Sequence, residues 1–437
     1  MHKKPVDTKV PTVSRVCSDT LIELVYDPHK RETALAVSRF GGLWNLEQEV
    51  RIETGEILVP YSAKNNLIAN DCVLLPSQPE HHGDKAELLA AIEEFLHRYV
   101  DFSPLFERIA AQYVLLSWVH DAFNELPYLR LKGEWGSGKT RGLIAIGALC
   151  YKPFFASGAS SSASLFRTMD AFGGTLAFDE ADFRFSDATA ELVKIFNNGS
   201  VKGLPVLRTT QNRDKEFNPQ AFKVFGPKII AMRERFEDPA LESRFITEEM
   251  GLRPLRADIP IQLPDALKTE ALVLRNRLLH FRLCQFYDMK SNPAVVSPEL
   301  APRLNQTAIS LLSIMDDAGL RSEIARFLSQ QGDALVAASN VGREAQIVAA
   351  LEAAFAENGA SAVSLREVAE RIEKVASSPQ KAAITHKLVG SILRTRLGIA
   401  TCKSHGRYVI PATEKKKLPA LIEKYGIEPI SSSSASV

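Results

Sequence analysis

The chain is 437 residues long, 45% hydrophobic and 24% charged, with a formal net charge of +1. That length predicts two to four domains, and the composition is that of an ordinary folded protein rather than a disordered or fibrous one. Cys17, Cys72, Cys150, Cys284 and Cys402 are scattered with no Cys-x-x-Cys, so neither a disulfide framework nor a zinc motif is expected. No apolar run reaches the about 18 residues of a membrane span. The start Met-His-Lys-Lys-Pro-Val-Asp has no secretory apolar stretch, so the expected location is the cytoplasm, with no membrane partner.

Residues 1–80 predict a small β-rich domain. Leu21–Tyr26 and Thr33–Val37 are short apolar runs around the turn signal Asp27-Pro28-His29-Lys30, and Val50–Leu58 alternates. Pro76 to Asp84 has the composition of a linker, and its His81-His82 pair reads as solvated linker histidines rather than a metal site. From Lys85 to Phe123 the periodicity is helical, through Leu88, Ile92, Phe95 and then Leu105, Ile109, Tyr113. Strands and helices then alternate: strand 128–131, helix 140–150, strand 154–156, helix 163–169, strand 175–178, helix 188–196, strand 228–231 and strand 245–247. That order predicts an α/β fold with a parallel sheet and crossover helices. The expected divisions are a β-rich domain over 1–80, a nucleotide-binding core over 85–250, a helical lid over 251–338, a small unit over 343–426 and a disordered Ser-rich tail over 427–437.

Gly133-Glu134-Trp135-Gly136-Ser137-Gly138-Lys139-Thr140 lies between a predicted strand and a predicted helix. Its glycines let backbone N–H groups converge on phosphate oxygens, and the helix after it adds its positive end. Lys139 is placed to reach the β- and γ-phosphates of ATP, and Thr140 to give its hydroxyl to Mg²⁺. Forty residues beyond Lys139, the apolar run Thr175–Phe178 ends in Asp179-Glu180. Asp179 is the second expected Mg²⁺ partner, and Glu180 the residue expected to polarise an attacking water. A carboxylate beside the metal ligand suits hydrolysis better than transfer to a second substrate.

With this short spacing between the two motifs the chain resembles AAA+ ATPases, and within them superfamily 3 helicases. Phe225-Gly226-Pro227-Lys228 and Glu242-Ser243-Arg244-Phe245 look like segments of ATPases from phage and mobile-element replication modules, some of them MCM-like helicases. The resemblance implies an ATP-driven DNA helicase working as a homo-oligomeric ring, a hexamer. It implies that Arg244 is an arginine finger acting on the neighbouring subunit's nucleotide, and that Arg303 contacts nucleotide from the lid, with Arg275, Arg277 and Arg282 as rivals. It also implies a pore hairpin near 197–206 with Lys202 on DNA phosphate, helped by Arg208 or Arg213. The chain departs from the family after the strand 228–231, where Met232-Arg233-Glu234 replaces the usual water-orienting Asn.

Within 343–426, three predicted helices precede a strand–turn–strand, the order of a winged helix-turn-helix. Ser364 and Glu367 form a capping-box pattern at the second helix. From Lys381 to Lys417 there are nine basic residues against Glu414 alone, a local charge of +8. Such a basic face points to DNA backbone binding, with Lys387, Arg394 and Arg396 at the groove and Lys403 and Arg407 on the wing. Competing readings are a replication initiator or loader, a DNA-binding regulator with an ATP switch, and a remodelling ATPase that handles no DNA.

Overall fold

The computed structural model describes residues 9–39, 43–179, 187–211, 217–236, 238–340, 343–359, 361–375, 385–404 and 406–427. The chain divides into two compact units, Met1–Ser329 and Gln330–Val437.

The first unit begins with strands β1 (Lys9–Thr12), β2 (Ser14–Val16), β3 (Thr20–Asp27), β4 (Glu32–Arg39), β5 (Trp44–Glu47), β6 (Val50–Arg51) and β7 (Ile57–Pro60). They form an antiparallel sheet β2-β3-β4-β5 and a smaller sheet β1-β7-β6. The β3–β4 hairpin closes at the expected turn, where Asp27 Oδ1 accepts from the backbone N–H of His29 (2.9 Å) and Lys30 (3.1 Å). After a short helix α1 (Asn66–Ala69) come α2 (Lys85–Tyr99) and α3 (Pro104–Trp118). Asp84 and Glu87 form a reciprocal capping box at the start of α2.

The central sheet contains β8 (Tyr128–Lys132), β9 (Phe154–Ser157), β10 (Leu176–Asp179), β13 (Lys228–Met232) and β14 (Phe245–Glu249), and between β10 and β13 runs a separate hairpin of β11 (Val206–Gln211) and β12 (Phe217–Phe222). The central strand order is β14-β8-β13-β10-β9, all parallel. Alternate residues point to opposite faces, and both faces are buried, as parallel sheets require. Leu129, Leu131, Ala177, Ile229, Ala231 and Ile246 join one core with α2 and α3. Tyr128, Leu176, Phe178, Ile230, Met232 and Phe245 join the other. The crossovers supply α4 (Lys139–Leu149), α5 (Ser162–Phe172), α6 (Asp187–Asn198) and the one-turn α7 (Pro239–Glu242). The expected parallel α/β sheet is present, with element ends shifted by one to three residues.

The helical stretch after β14 contains α8 (Ala266–Gln285), α9 (Pro302–Ser313) and α10 (Ala318–Asn340). Leu267, Leu274, Leu278 and Phe281 of α8 belong to the same core as the sheet. The segment 76–84, linker-like in composition, is a strap bound along α8. Ser77 N donates to Asn276 Oδ1 (2.9 Å), Glu80 N to Asn276 O (3.1 Å), and Arg277 Nη2 to His82 O (3.0 Å).

A buried charge network joins the N-terminal strands to this core. Glu23 on β3 accepts from Lys152 Nζ (2.6 Å), Arg282 Nε (2.7 Å) and Tyr151 OH (2.8 Å), and Arg282 also pairs with Asp121 (2.7 Å). Burial pushes the Glu23 carboxyl up, but Lys152 and Arg282 outweigh it and hold the group below its ordinary value. Replacing one partner would strand the others without compensation. Glu23→Ala is therefore expected to destabilise the first unit by about 3–5 kcal/mol, measured by denaturant unfolding. Because the folded-state value is depressed, this stabilisation is present above the unfolded carboxylate's pKa of about 4 and is lost as pH falls through the folded one.

The second unit contains α11 (Arg343–Asn358), β15 (Val363–Ser364), α12 (Leu365–Val375), α13 (His386–Thr395), β16 (Cys402–Ser404), β17 (Arg407–Ile410) and α14 (Leu418–Tyr425). Its antiparallel sheet has the order β15-β17-β16, so the expected strand pair gains a third strand. Its own core includes Ile347, Leu351, Val368, Leu393 and Ile410. Glu367 N donates to Ser364 Oγ (3.1 Å), so the predicted N-cap is made.

Candidate nucleotide site

The loop Gly133–Gly138 leaves the C-terminal end of β8 and enters α4. Gly138, the residue before α4, has φ +87°, a left-handed conformation that a side chain would strain. Gly133 is required by space, since a Cβ there would lie 2.6 Å from the carbonyl oxygen of Met250. Gly138, at the cap position of α4, carries no side chain to accept from the first turn, which suits a helix start that receives an anion. Lys139 Nζ donates to the carbonyls of Gly133 and Glu134, each at 2.7 Å. Trp135 is 81% exposed, and the Arg233 guanidinium sits 5.2 Å from its ring centre. Arg233, the residue standing where a water-orienting Asn was expected, thus packs on the loop's tip.

Strand order brings the second motif alongside. β10 lies next to β13, which lies next to β8, so Asp179 ends its strand at the same edge as the loop. Thr140 Oγ1 donates to Asp179 Oδ2 at 2.8 Å. A hydroxyl and a carboxylate converging beside an uncapped helix start are an oxygen donor set that suits Mg²⁺ with phosphate. Glu180 lies outside the described residues, as do Arg213 and Lys381.

Arg244 and Arg303 lie elsewhere. Arg244 precedes β14, whose first residue pairs with Tyr128 at the start of β8. Five residues of β8 therefore separate it from the loop, about 16 Å at 3.3 Å per residue. Its guanidinium donates to Ser200 Oγ (2.8 Å) and Ala240 O (2.9 Å), and also to Asn197 Oδ1. The carboxylates nearest it in sequence are engaged elsewhere: Glu242 pairs with Arg130 in the core, and Glu248 accepts from Ser103 N (2.7 Å) and Oγ (2.8 Å), while Asp238 and Glu125 lie close enough to favour its charge. Arg303, expected at the nucleotide from a lid, instead donates to Ser243 Oγ (2.6 Å) and to the same Ala240 carbonyl (3.0 Å). The physical reason is α9's position, which carries Arg303 to the N-terminal edge of the sheet rather than to the loop. With Glu125, Ser200, Gln306 and Thr307 the two arginines line a cavity of about 120 Å³. Burial and the nearby Arg303 charge push the Arg244 guanidinium down from its ordinary value. Glu125, Gln306 and Thr307 carry no local sequence signal, because they meet only through folding.

The other rivals are structural. Arg275 donates to Ala148 O (2.7 Å), Arg277 to the strap and Arg282 to the buried network. Lys228 of the Gly-Pro-Lys segment is fully buried and donates to the carbonyls of Gly199 (3.2 Å), Val224 (2.9 Å) and Gly226 (3.0 Å).

The expected hairpin is displaced in sequence. Residues 199–204 run against the 124–126 segment, where Lys202 Nζ donates to Asp121 O (2.9 Å), and the hairpin itself is β11–β12. Arg208 lies on β11 and pairs with Glu191 (3.0 Å). In the second unit Lys387, Arg394, Arg396, Lys403 and Arg407 are exposed. Arg396 is paired with Glu344 (2.5 Å), and Arg394 donates to Thr401 Oγ1 (2.8 Å).

No family model and no curated protein matches the chain. Among solved structures, it is similar to the apo NrS-1 C-terminal region (305–718), at 11% identity and TM-score 0.36, over 89% of this chain and 95% of that one. It is similar to a JCV helicase at 16% identity and TM-score 0.25, over 57% and 66%. A full-length MCM homologue from Methanopyrus kandleri gives 12% identity and TM-score 0.35, over 73% and 74%. These likenesses are weak.

Proposed function

We propose that this chain is an ATP-hydrolysing DNA translocase, most simply a ring helicase, with each nucleotide held by one subunit and completed by the arginines of the next. The observation that carries the reading is the division of the charged machinery. Thr140 and Asp179 meet at 2.8 Å beside the phosphate loop, whereas Arg244 and Arg303 share one carbonyl at the opposite edge of the sheet. Arginines so placed serve their own subunit's nucleotide poorly and a neighbour's well, which supports an assembly that closes head to tail.

In this reading the loop amides and α4 bind the phosphates of ATP, and Lys139 leaves its two carbonyls for phosphate oxygens. Thr140 and Asp179 would hold Mg²⁺, which would neutralise charge on the phosphates. Glu180 would orient and deprotonate the attacking water. Arg244 and Arg303 would meet the charge that develops on the transferred phosphoryl group, a contribution made chiefly in the transition state. The β11–β12 hairpin would face DNA in the ring's pore. The second unit, read as a winged helix, would hold duplex through Lys387, Lys403 and Arg407, with Arg394 and Arg396 beside them.

The test is ATP hydrolysis by the full chain with and without single-stranded DNA. A translocase is expected to be stimulated at least tenfold, with stimulation falling as salt rises. Hydrolysis indifferent to DNA at every salt concentration would leave a switch or a protein-remodelling ATPase in its place.

A further inference from the structure

Where the 76–84 strap crosses α8, three metal-binding side chains meet. His82 Nδ1 lies 2.7 Å from His280 Nδ1. Cys284, one helical turn beyond His280, places Sγ 3.7 Å from that same nitrogen. One donor atom from each residue lies within 4.8 Å of the others. His82 is only 8% exposed, and His280 and Cys284 are half-buried. His81 stands alongside, its ring centre 5.3 Å from that of His280. Its Nδ1 accepts from Gly83 N (3.2 Å).

We propose that His82, His280 and Cys284 bind one Zn²⁺ ion, with a water as fourth ligand, and that the ion staples the strap to α8. Two imidazoles and a thiolate form the donor set that zinc favours over harder cations. Spacing of i and i+4 puts His280 and Cys284 on one face of the helix, so the helix presents both donors together. Zinc bonds of about 2.0–2.1 Å to nitrogen and 2.3 Å to sulfur place tetrahedral N and S ligands about 3.6 Å apart. Cys284 Sγ lies 3.7 Å from His280 Nδ1 and 3.8 Å from its Nε2, near that value, so the ring has only to turn to aim Nδ1 at the shared ion. The two imidazole nitrogens must open to about 3.4 Å, a small ring rotation. At present they are close enough to share one proton. The ion takes that proton's place, and the ring that carried it keeps a proton on Nε2 instead. The Cys284 thiol proton leaves to solvent as the Zn–S bond forms, so one proton is released per ion bound. The strap's bonds to Asn276 and Arg277 hold His82 over the helix beforehand, which lowers the ordering cost of the site.

The experiment uses the full chain prepared without a histidine tag and stripped with a chelator. It is titrated with Zn²⁺ against a chromophoric chelator, and separately with Co²⁺ as a spectroscopic substitute. One equivalent of tightly held zinc is expected, together with a thiolate-to-cobalt charge-transfer band. Cys284→Ser should abolish the band, and His280→Ala should weaken zinc binding about 100-fold or more. His82→Gln lies outside the helix and repeats the test if a helix variant unfolds. Lys139→Ala should bind zinc as the parent does. Absence of stoichiometric zinc from the parent, or binding unchanged by His82→Gln and Cys284→Ser, overturns the proposal.

Discussion

Arg244→Ala is expected to lower ATP turnover by about 10³–10⁵-fold, the range for removing an arginine finger. Its backbone lies level with the start of β8, five strand residues or about 16 Å from the phosphate loop, farther than an arginine side chain extends. Its hydrogen bonds to Ser200 and Ala240 hold it at the sheet's edge. The trans arrangement has a sharper test than the loss itself. Mixing Arg244→Ala chains with Lys139→Ala chains should restore activity to a measurable fraction, above the level of either variant alone. An intact loop from the first variant then meets an intact arginine from the second at roughly a quarter of the interfaces, if subunits mix at random. No recovery in a mixture shown to co-assemble would mean that each chain completes its own site, and the head-to-tail reading would fail. Arg244→Lys should recover little, because the fork that bonds Ser200 and Ala240 is lost even though the charge is kept.

Lys139→Ala is expected to cut ATP turnover by at least about 10²-fold while leaving the fold intact. The ammonium rests on two loop carbonyls at 2.7 Å, and the half-buried side chain belongs to neither core. Its removal therefore deletes a phosphate donor without opening a cavity. Turnover should fall with the far-ultraviolet circular dichroism spectrum unchanged. A variant that hydrolyses ATP at the parent rate would remove the loop from the chemistry altogether.

Local signals carried the parts of this fold whose partners are near in sequence. The strand–loop–helix at 128–149 was legible because apolar alternation, glycine spacing and helical periodicity all lie within some twenty residues. The same holds for the Asp27 turn, the Ser364 cap and the alternating strands of the sheet. Composition misleads where contacts between distant residues decide the local structure. Pro, His and Gly between 76 and 84 suggested a solvated linker, yet Asn276, some two hundred residues away, binds that stretch down. The resemblance implied a hairpin near 197–206, and the hairpin lies in β11–β12, just after that stretch.

A parallel α/β sheet with a phosphate-type loop at one strand end was dictated by the residue order alone, because period-2 and period-3.6 patterns and glycine conformations are written residue by residue. Which arginines stand together was settled by packing. The strand order β14-β8-β13-β10-β9 brings Asp179 to Thr140, and the path of α9 sets Arg303 beside Arg244 at the opposite edge. Packing also made Glu23, Lys152 and Arg282 neutralise one another inside the core. Glu23 lies more than a hundred positions from either cation. Pairings at that range depend on how the layers stack, a quantity no local pattern encodes, and buried charges persist there only because packing delivers each one its partner.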